Sequence, residues 1–233
     1  MNLSDLRSYV RTQTQTLASE LPDSTIDIYL QEAFNRTINL ENRWPFYEKQ
    51  WDIPVPAGEY TFTLPGDVSQ PGIVALQHST DGYTVDLMDH AQAQELFAGD
   101  GLVTSQVFRW SLWAGEGYLW PQIDYSDEVI WKLQGYRLPT DWISQGSAAS
   151  PDCDSRLHQP LAHYAIALAY AQQEDEVLER SSMERWQNDV MLAREQIMLP
   201  PRARPVIMGR RFTSPIGRGR GGGVRGVVDT TGL

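Results

Sequence analysis

The sequence predicts an α+β protein: a four-helix bundle interrupted by a small antiparallel β domain, sandwich- or barrel-like, and followed by an extended C-terminal arm. Three observations carry that prediction. Apolar residues recur at helical spacing before Trp44 and again after Asp154. Between Gln50 and Trp142 short alternating segments are separated by turns rich in glycine and proline. From Pro200 to Leu233 neither period survives. The expected division is a bundle from residues 1–45 and 152–199, an inserted β domain over 46–151, and an arm over 200–233.

The elements follow in order. Ser4 is placed to cap a first helix running to Ser19, with Leu6, Tyr9, Val10 and Leu17 near helical spacing. Leu21-Pro22 breaks it, and Asp23 or Ser24 caps a second helix with Ile26, Leu30, Ala33, Phe34, Thr37, Ile38 and Glu41 on one stripe. Pro45 disfavours helical geometry in Trp44 and ends that run. Trp51, Ile53 and Val55 alternate as a strand, and Pro56-Ala57-Gly58-Glu59 turns into a second strand, Tyr60 to Leu64. Ile73–Gln77 and Tyr83–Leu87 flank Ser79-Thr80-Asp81-Gly82 as a hairpin. Asp89 caps a short helix through Phe97, ended by Gly99-Asp100-Gly101. Val107–Trp113, Tyr118–Trp120 and Glu128–Tyr136 complete the strands, with a tight turn at Ala114–Gly117. The helical period then returns with Leu157, Leu161, Ala165, Leu168 and Ala169. Gln172 to Asp175 mark a turn, and Val177, Met183 or Trp186, Val190, Ala193 and Ile197 form a last amphipathic helix before Pro200-Pro201.

Charge divides the chain sharply. The segment from Pro200 onward holds 7 of the 19 Lys+Arg and 1 of the 30 Asp+Glu, leaving 12 bases against 29 acids, a net of about −17, in residues 1–199. An acidic body poor in lysine repels polyanions, so it is not a nucleic-acid-binding surface. The arm is expected to stay disordered until bound, because it cannot bury enough apolar surface to offset its ordering entropy. Arg202, Arg204, Arg210, Arg211, Arg218, Arg220 and Arg225 supply fork donors for carboxylate or phosphate, and Ile207, Met208 and Phe212 are apolar anchors among them. That mixture suits docking into a protein groove, while the Gly-Arg run near Gly219 alone resembles a single-strand nucleic-acid segment. Fully extended, the arm reaches roughly 115 Å at about 3.4 Å per residue.

Elsewhere the signals point away from turnover. No apolar run approaches the ~18 residues of a membrane span, and the N-terminus lacks a secretory pattern. One cysteine, Cys153, excludes an intrachain disulfide framework, and Asp152 and Asp154 beside it raise its thiol pKa. A reducing cytoplasm is the simplest place of synthesis. His158 and His163 are five apart and turn away from each other on a helix; His78 and His90 have no evident partner, so no metal or cofactor is implied. Carboxylate groups such as Glu48/Asp52 or Asp124/Asp127/Glu128 offer an acid and base in principle, but nothing sets them across a cleft. Gly219–Gly223 has neither a preceding strand nor a following lysine, so a phosphate loop is excluded. Seven of the 8 tryptophans lie between Trp44 and Trp142 and read as core or interface residues rather than a base or sugar platform.

The order of these features resembles the head-to-tail adaptor (neck or connector) proteins of tailed bacteriophages, in particular short-tailed ones. The likeness rests on the opening MNLSDLRSYVRTQT, Leu21-Pro22-Asp23, and Glu41-Asn42-Arg43-Trp44-Pro45-Phe46-Tyr47. It continues in Val55 through Pro65, the helix from His158 to Gln173, and the C-terminal arm. The resemblance implies a structural virion protein, not an enzyme, assembled in the host cytoplasm and placed at the portal vertex. It implies a homo-oligomeric ring of twelve copies beneath the portal protein, with arms in grooves between portal subunits and the β domain toward tail, nozzle or tail-fibre proteins. Genomic DNA would pass through the channel without specific binding, and no membrane is involved. Two alternatives stand beside this reading: a peptidoglycan-acting virion enzyme, and a nucleic-acid-binding protein using the Arg/Gly arm.

Overall fold

A reciprocal cap at Asn2 starts the first helix in the computed structural model, which describes residues 1–41, 43–97, 106–122 and 126–198. The Asn2 side chain accepts from the Asp5 amide at 2.8 Å, and the Asp5 carboxylate accepts from the Asn2 amide at 3.1 Å. Helix α1 therefore spans Leu3–Thr14, capped before the expected Ser4. It ends at Gln15, whose φ of 54° is left-handed, and leaves Leu17 exposed beyond it. In α2 (Asp23–Ile38), Pro22 sets the entry without a side-chain cap, and Asp23 is the first helical residue. Ile26, Leu30, Ala33, Phe34, Thr37 and Ile38 are buried as the stripe predicts, while Glu41 lies past the end.

Trp44-Pro45 opens a single 3₁₀ turn, Pro45–Tyr47, and strand β1 (Glu48–Val55) follows with Trp51, Ile53 and Val55 facing inward. Next come β2 (Thr61–Thr63), β3 (Val68–His78) and β4 (Thr84–Met88). β3 and β4 form the predicted hairpin, with Leu76 opposite Val85 and Gln77 opposite Thr84. Asp89 caps α3 (His90–Phe97), its carboxylate accepting from the amides of Ala91 and Gln92 at 3.0 and 3.1 Å. The expected stop at Gly99-Asp100-Gly101 lies outside the described residues. β5 (Arg109–Trp113) and β6 (Glu116–Trp120) close a two-residue hairpin at Ala114 and Gly115, whose φ values of 50° and 86° give the primed turn that matches strand twist. β7 (Val129–Arg137) completes a seven-stranded sheet in the order β1-β7-β3-β4-β5-β6-β2.

The sheet is not wholly antiparallel. β4 and β5 run parallel, with Leu87 opposite Trp110. A parallel pair needs a long crossover, and the connection carrying α3 supplies it, a feature that short strands and turns alone did not reveal.

Two further helices end the described chain. In α4 (His158–Gln172), 10 of 15 residues are buried, including every position from Pro160 to Ala167, so the helix is enclosed rather than amphipathic. Its alanines let neighbours approach on several sides, and Leu168, expected on the buried stripe, is only partly covered. α5 (Glu176–Met198) buries Ser182, Trp186, Val190 and Ala193, but Val177 is 78% exposed in its first turn. The apolar face thus begins at Ser182, five residues later than the sequence spacing suggests.

Two apolar cores result. One joins α1, α2, α4 and α5 with Trp44, Tyr47 and Trp142; the other fills the sheet with Trp51, Ile53, Phe62, Trp110, Trp131 and Leu133. Six of the seven clustered tryptophans are core residues, and Trp113 is the exposed one. Trp44 donates its indole N–H to the Ile38 carbonyl at 2.9 Å, and Trp186 donates to Thr37 Oγ1 at 3.2 Å.

Candidate functional site

The arm residues singled out by sequence, Arg202 through Phe212 to Arg225, lie outside the described residues. What the described residues do show is how the body disposes of its few cations. Arg7 forks onto Asp27 at 2.7 and 2.6 Å and also reaches Asp23. Arg11 bridges Asp23 and the Leu21 carbonyl, holding α1 to the start of α2. Lys49 pairs with Asp67, Arg109 with Asp86, Arg156 with Asp154, and Arg194 with Glu41. Most body cations are neutralised by the body's own acids, so the remaining acids set the sign of its surface.

A denser network joins the end of β7 to the chain before α4. Arg137 donates twice to Asp152, both bonds at 2.6 Å, and the Thr140 amide and hydroxyl add bonds to the same carboxylate. Burial alone would raise the Asp152 carboxyl, but these donors outweigh it and hold the group below its ordinary value. The Arg137 guanidinium lies 4.9 Å from the Tyr47 ring, whose hydroxyl donates to the Asp152 carbonyl at 2.6 Å. This network ties sheet to helices.

The titratable groups named by sequence are dispersed. His78 stacks on Tyr83 and lies 3.2 Å from Asp81; His90 is 2.9 Å from Ser111 Oγ, which also accepts from Trp120 Nε1 at 2.7 Å. His163 is 2.9 Å from Asp189, and His158 Nδ1 lies 2.9 Å from the amino terminus of Met1. Among the described residues no group of three His, Cys, Asp or Glu side chains is placed to hold a metal ion. Burial, then Asp152 and Asp154, push the Cys153 thiol far up, which suppresses the thiolate. Glu48, Asp52, Asp127 and Glu128 are exposed, and Asp124 lies outside the described residues. No helix among the described residues is long and apolar enough to cross a membrane.

One feature escaped the sequence reading. The sheet curls until its two end strands border a cleft of about 490 Å³, lined by Asp52, Ile53 and Pro54 of β1, Thr61, Phe62 and Thr63 of β2, and flanking residues including Glu59, Leu64 and Glu116. Ile53 and Phe62 point inward and are buried, whereas Asp52, Pro54 and Thr63 are exposed. A cleft lined by residues of both directions is a gap between strands, not a dimple on one face. Pro54 was its signal, since proline within a strand belongs at a sheet edge. Phe62 sits at this edge because Gly117 opposite it has no side chain: a Cβ there would come within 2.2 Å of the Phe62 ring.

The family model described as SU10 adaptor protein matches residues 1–209, and the chain belongs to that family. It is a family of structural phage proteins, head-to-tail adaptors, which places the chain in the virion and implies portal and tail proteins as partners in general terms. The matched stretch takes in Arg202, Arg204, Ile207 and Met208 of the arm. No curated protein matches the chain.

Proposed function

We propose that the protein acts by assembly alone: copies join side by side into a twelve-membered ring below the portal, extend the DNA channel, and offer an attachment face for tail proteins. In this reading residues 1–45 and 152–199 act as a four-helix bundle that builds the ring. Residues 46–151 form the inserted unit that meets tail components, and residues 200–233 dock between portal subunits. The observation that carries the proposal is the division of charge, seven arginines and one acid from Pro200 onward against a body of about −17. A cationic segment with apolar anchors binds a large protein surface by fork hydrogen bonds and burial together. An anionic wall lets DNA move without phosphate contacts that would trap it. Membership of an adaptor family supports the same reading.

Deleting Pro200 to Leu233 should leave a folded body that no longer attaches to portals. Negative-stain imaging of portals mixed with full and truncated chains reads this directly. Undiminished attachment of the truncated chain removes the arm from the mechanism.

A further inference from the structure

The turn at Ala114 and Gly115 sets Trp113 and Glu116 directly opposite each other as the closing pair of the β5–β6 hairpin. Opposite residues of an antiparallel pair project from one face with Cβ atoms about 5 Å apart, so an indole and a carboxylate stand side by side. Trp110 and Leu119 fill the sheet core. Strand alternation therefore puts Ser111 and Trp113, with Glu116, Tyr118 and Trp120, on the other face, where His90 of α3 meets the aromatic rings. Trp113 is 62% exposed, yet it is held: the His90 ring stacks on it with planes 16° apart. His90 is fixed in turn, because Ser111 Oγ accepts from Trp120 Nε1 and directs its own proton to His90 Nδ1. One side of the indole is thus backed by an imidazole and the rest is open to water. Tyr118 donates to Glu116 Oε2 at 3.2 Å, and Glu116 Oε1 has no partner among the described residues.

The same pairing of aromatic ring and carboxylate occurs twice more in the body, and each time a cation fills it. Arg137 lies over Tyr47 and forks onto Asp152. Lys49 Nζ lies 5.3 Å from the Trp51 ring centroid and 2.7 Å from Asp67. At the hairpin no lysine or arginine among the described residues takes that place; Arg109, four residues back on β5, is paired with Asp86. We propose that Trp113, Glu116 and Tyr118 form a receptor for an arginine side chain carried on a segment of a partner protein. The guanidinium lies flat on the open indole face while the N–H groups at its edge donate to Glu116. Arginine suits the place better than lysine, because a planar, weakly hydrated cation can stack and still present a fork of donors. His90 fixes the indole and Tyr118 fixes the carboxylate through its other oxygen, so little side-chain freedom is lost on binding. The sign agrees with the net charge of about −17 over residues 1–199, which draws cationic partners. The inference rests on the reading that residues 46–151 meet partner proteins, and it adds the chemistry by which one is recognised.

The test uses the full chain and a blocked pentapeptide, Gly-Ser-Arg-Ser-Gly, titrated while NMR follows the Trp113 indole N–H and the amides of Ala114, Gly115 and Glu116. The arginine peptide is expected to shift these signals with a dissociation constant on the order of millimolar, as one exposed stack and one ion pair allow. A lysine counterpart should bind severalfold more weakly, and a citrulline counterpart, similar in shape but uncharged, about tenfold more weakly. Glu116→Gln should weaken binding about fivefold and Trp113→Ala about tenfold, both with melting temperatures close to that of the unaltered chain. Absence of a shift with the arginine peptide, equal binding of the lysine or citrulline peptide, or a response centred elsewhere overturns the proposal. A stronger response to maltose gives the indole to a sugar ring and overturns it as well. So does a concentration-dependent shift of the same signals without peptide, which gives the site to an arginine of a second copy. Portal attachment reads the arm and not this hairpin, so failure of one experiment leaves the other standing.

Discussion

Around α4 nearly every side of the helix meets protein, whereas the sheet stops at two strands that meet a cleft. The contrast shows where the chain invests in permanence. The helical core is assembled from segments far apart in sequence: Tyr164 donates to Glu32 at 3.1 Å, and Trp186 reaches Thr37. Each such bond fixes elements more than a hundred residues apart. The sheet core is as well filled around Trp110 and Trp131, but β2 contributes only three paired residues and its outer edge is free. One region is closed on itself; the other keeps backbone groups available.

The largest expected effects break each core in turn. Trp142→Ala in the helical core and Trp131→Ala in the sheet should each cost about 3–5 kcal/mol, the usual loss for emptying a large buried site. Denaturant unfolding followed by both circular dichroism and tryptophan fluorescence should show one shared transition moved to lower denaturant. Helical signal persisting after the sheet is lost would make the two regions separate folding units.

Gly117→Ala probes the open side. The added methyl would drive the Phe62 ring from its place, costing about 1–3 kcal/mol by overpacking, with fast amide exchange at Leu119 as β2 loosens from β6. Unchanged exchange at Leu119 would mean that the ring finds room and that β2 does not depend on it.

The tie between the regions is pH-sensitive. The folded Asp152 carboxyl titrates below its unfolded value, so its contribution is complete above about pH 4 and is lost as pH falls through the folded pKa. Asp67, held low chiefly by Lys49, and Asp154, held low chiefly by Arg156, add to the same acid loss. Asp152→Asn should cost about 1–3 kcal/mol at neutral pH and flatten the fall in stability between about pH 5 and pH 2. An unaltered acid slope would assign that fall to the other carboxylates.

Much of the fold was legible because periodicity reports burial directly. The β1 alternation, the second helix stripe, the β3–β4 hairpin and the Asp89 cap all rest on local rules, and the structure has them. The parallel β4–β5 pair and the enclosure of α4 depend on which distant segments arrive beside them, which no local spacing encodes. The cleft was hidden for the same reason: β1 and β2 follow one another in sequence, yet each pairs elsewhere. Pro54 alone carried a trace of it. For the arm, composition gives its chemistry, and only a partner can test where it goes.

The smallest effect separates two residues three apart on one strand. Trp110 points into the sheet core and is 1% exposed; Trp113 ends β5 at the hairpin and is 62% exposed, stacked on His90 with ring centroids 5.4 Å apart. Burial, and not residue type, should decide the outcome. Trp110→Ala belongs with the core variants, while Trp113→Ala should change stability by no more than about 0.5 kcal/mol, because most of the Trp113 side chain is already in contact with water. Thermal unfolding of the pair measures this difference. A loss for Trp113→Ala as large as that for Trp110→Ala would mean that the His90 stack and the α3 it anchors hold the parallel crossover together, giving the outer layer of the sheet the closure that its free edges lack.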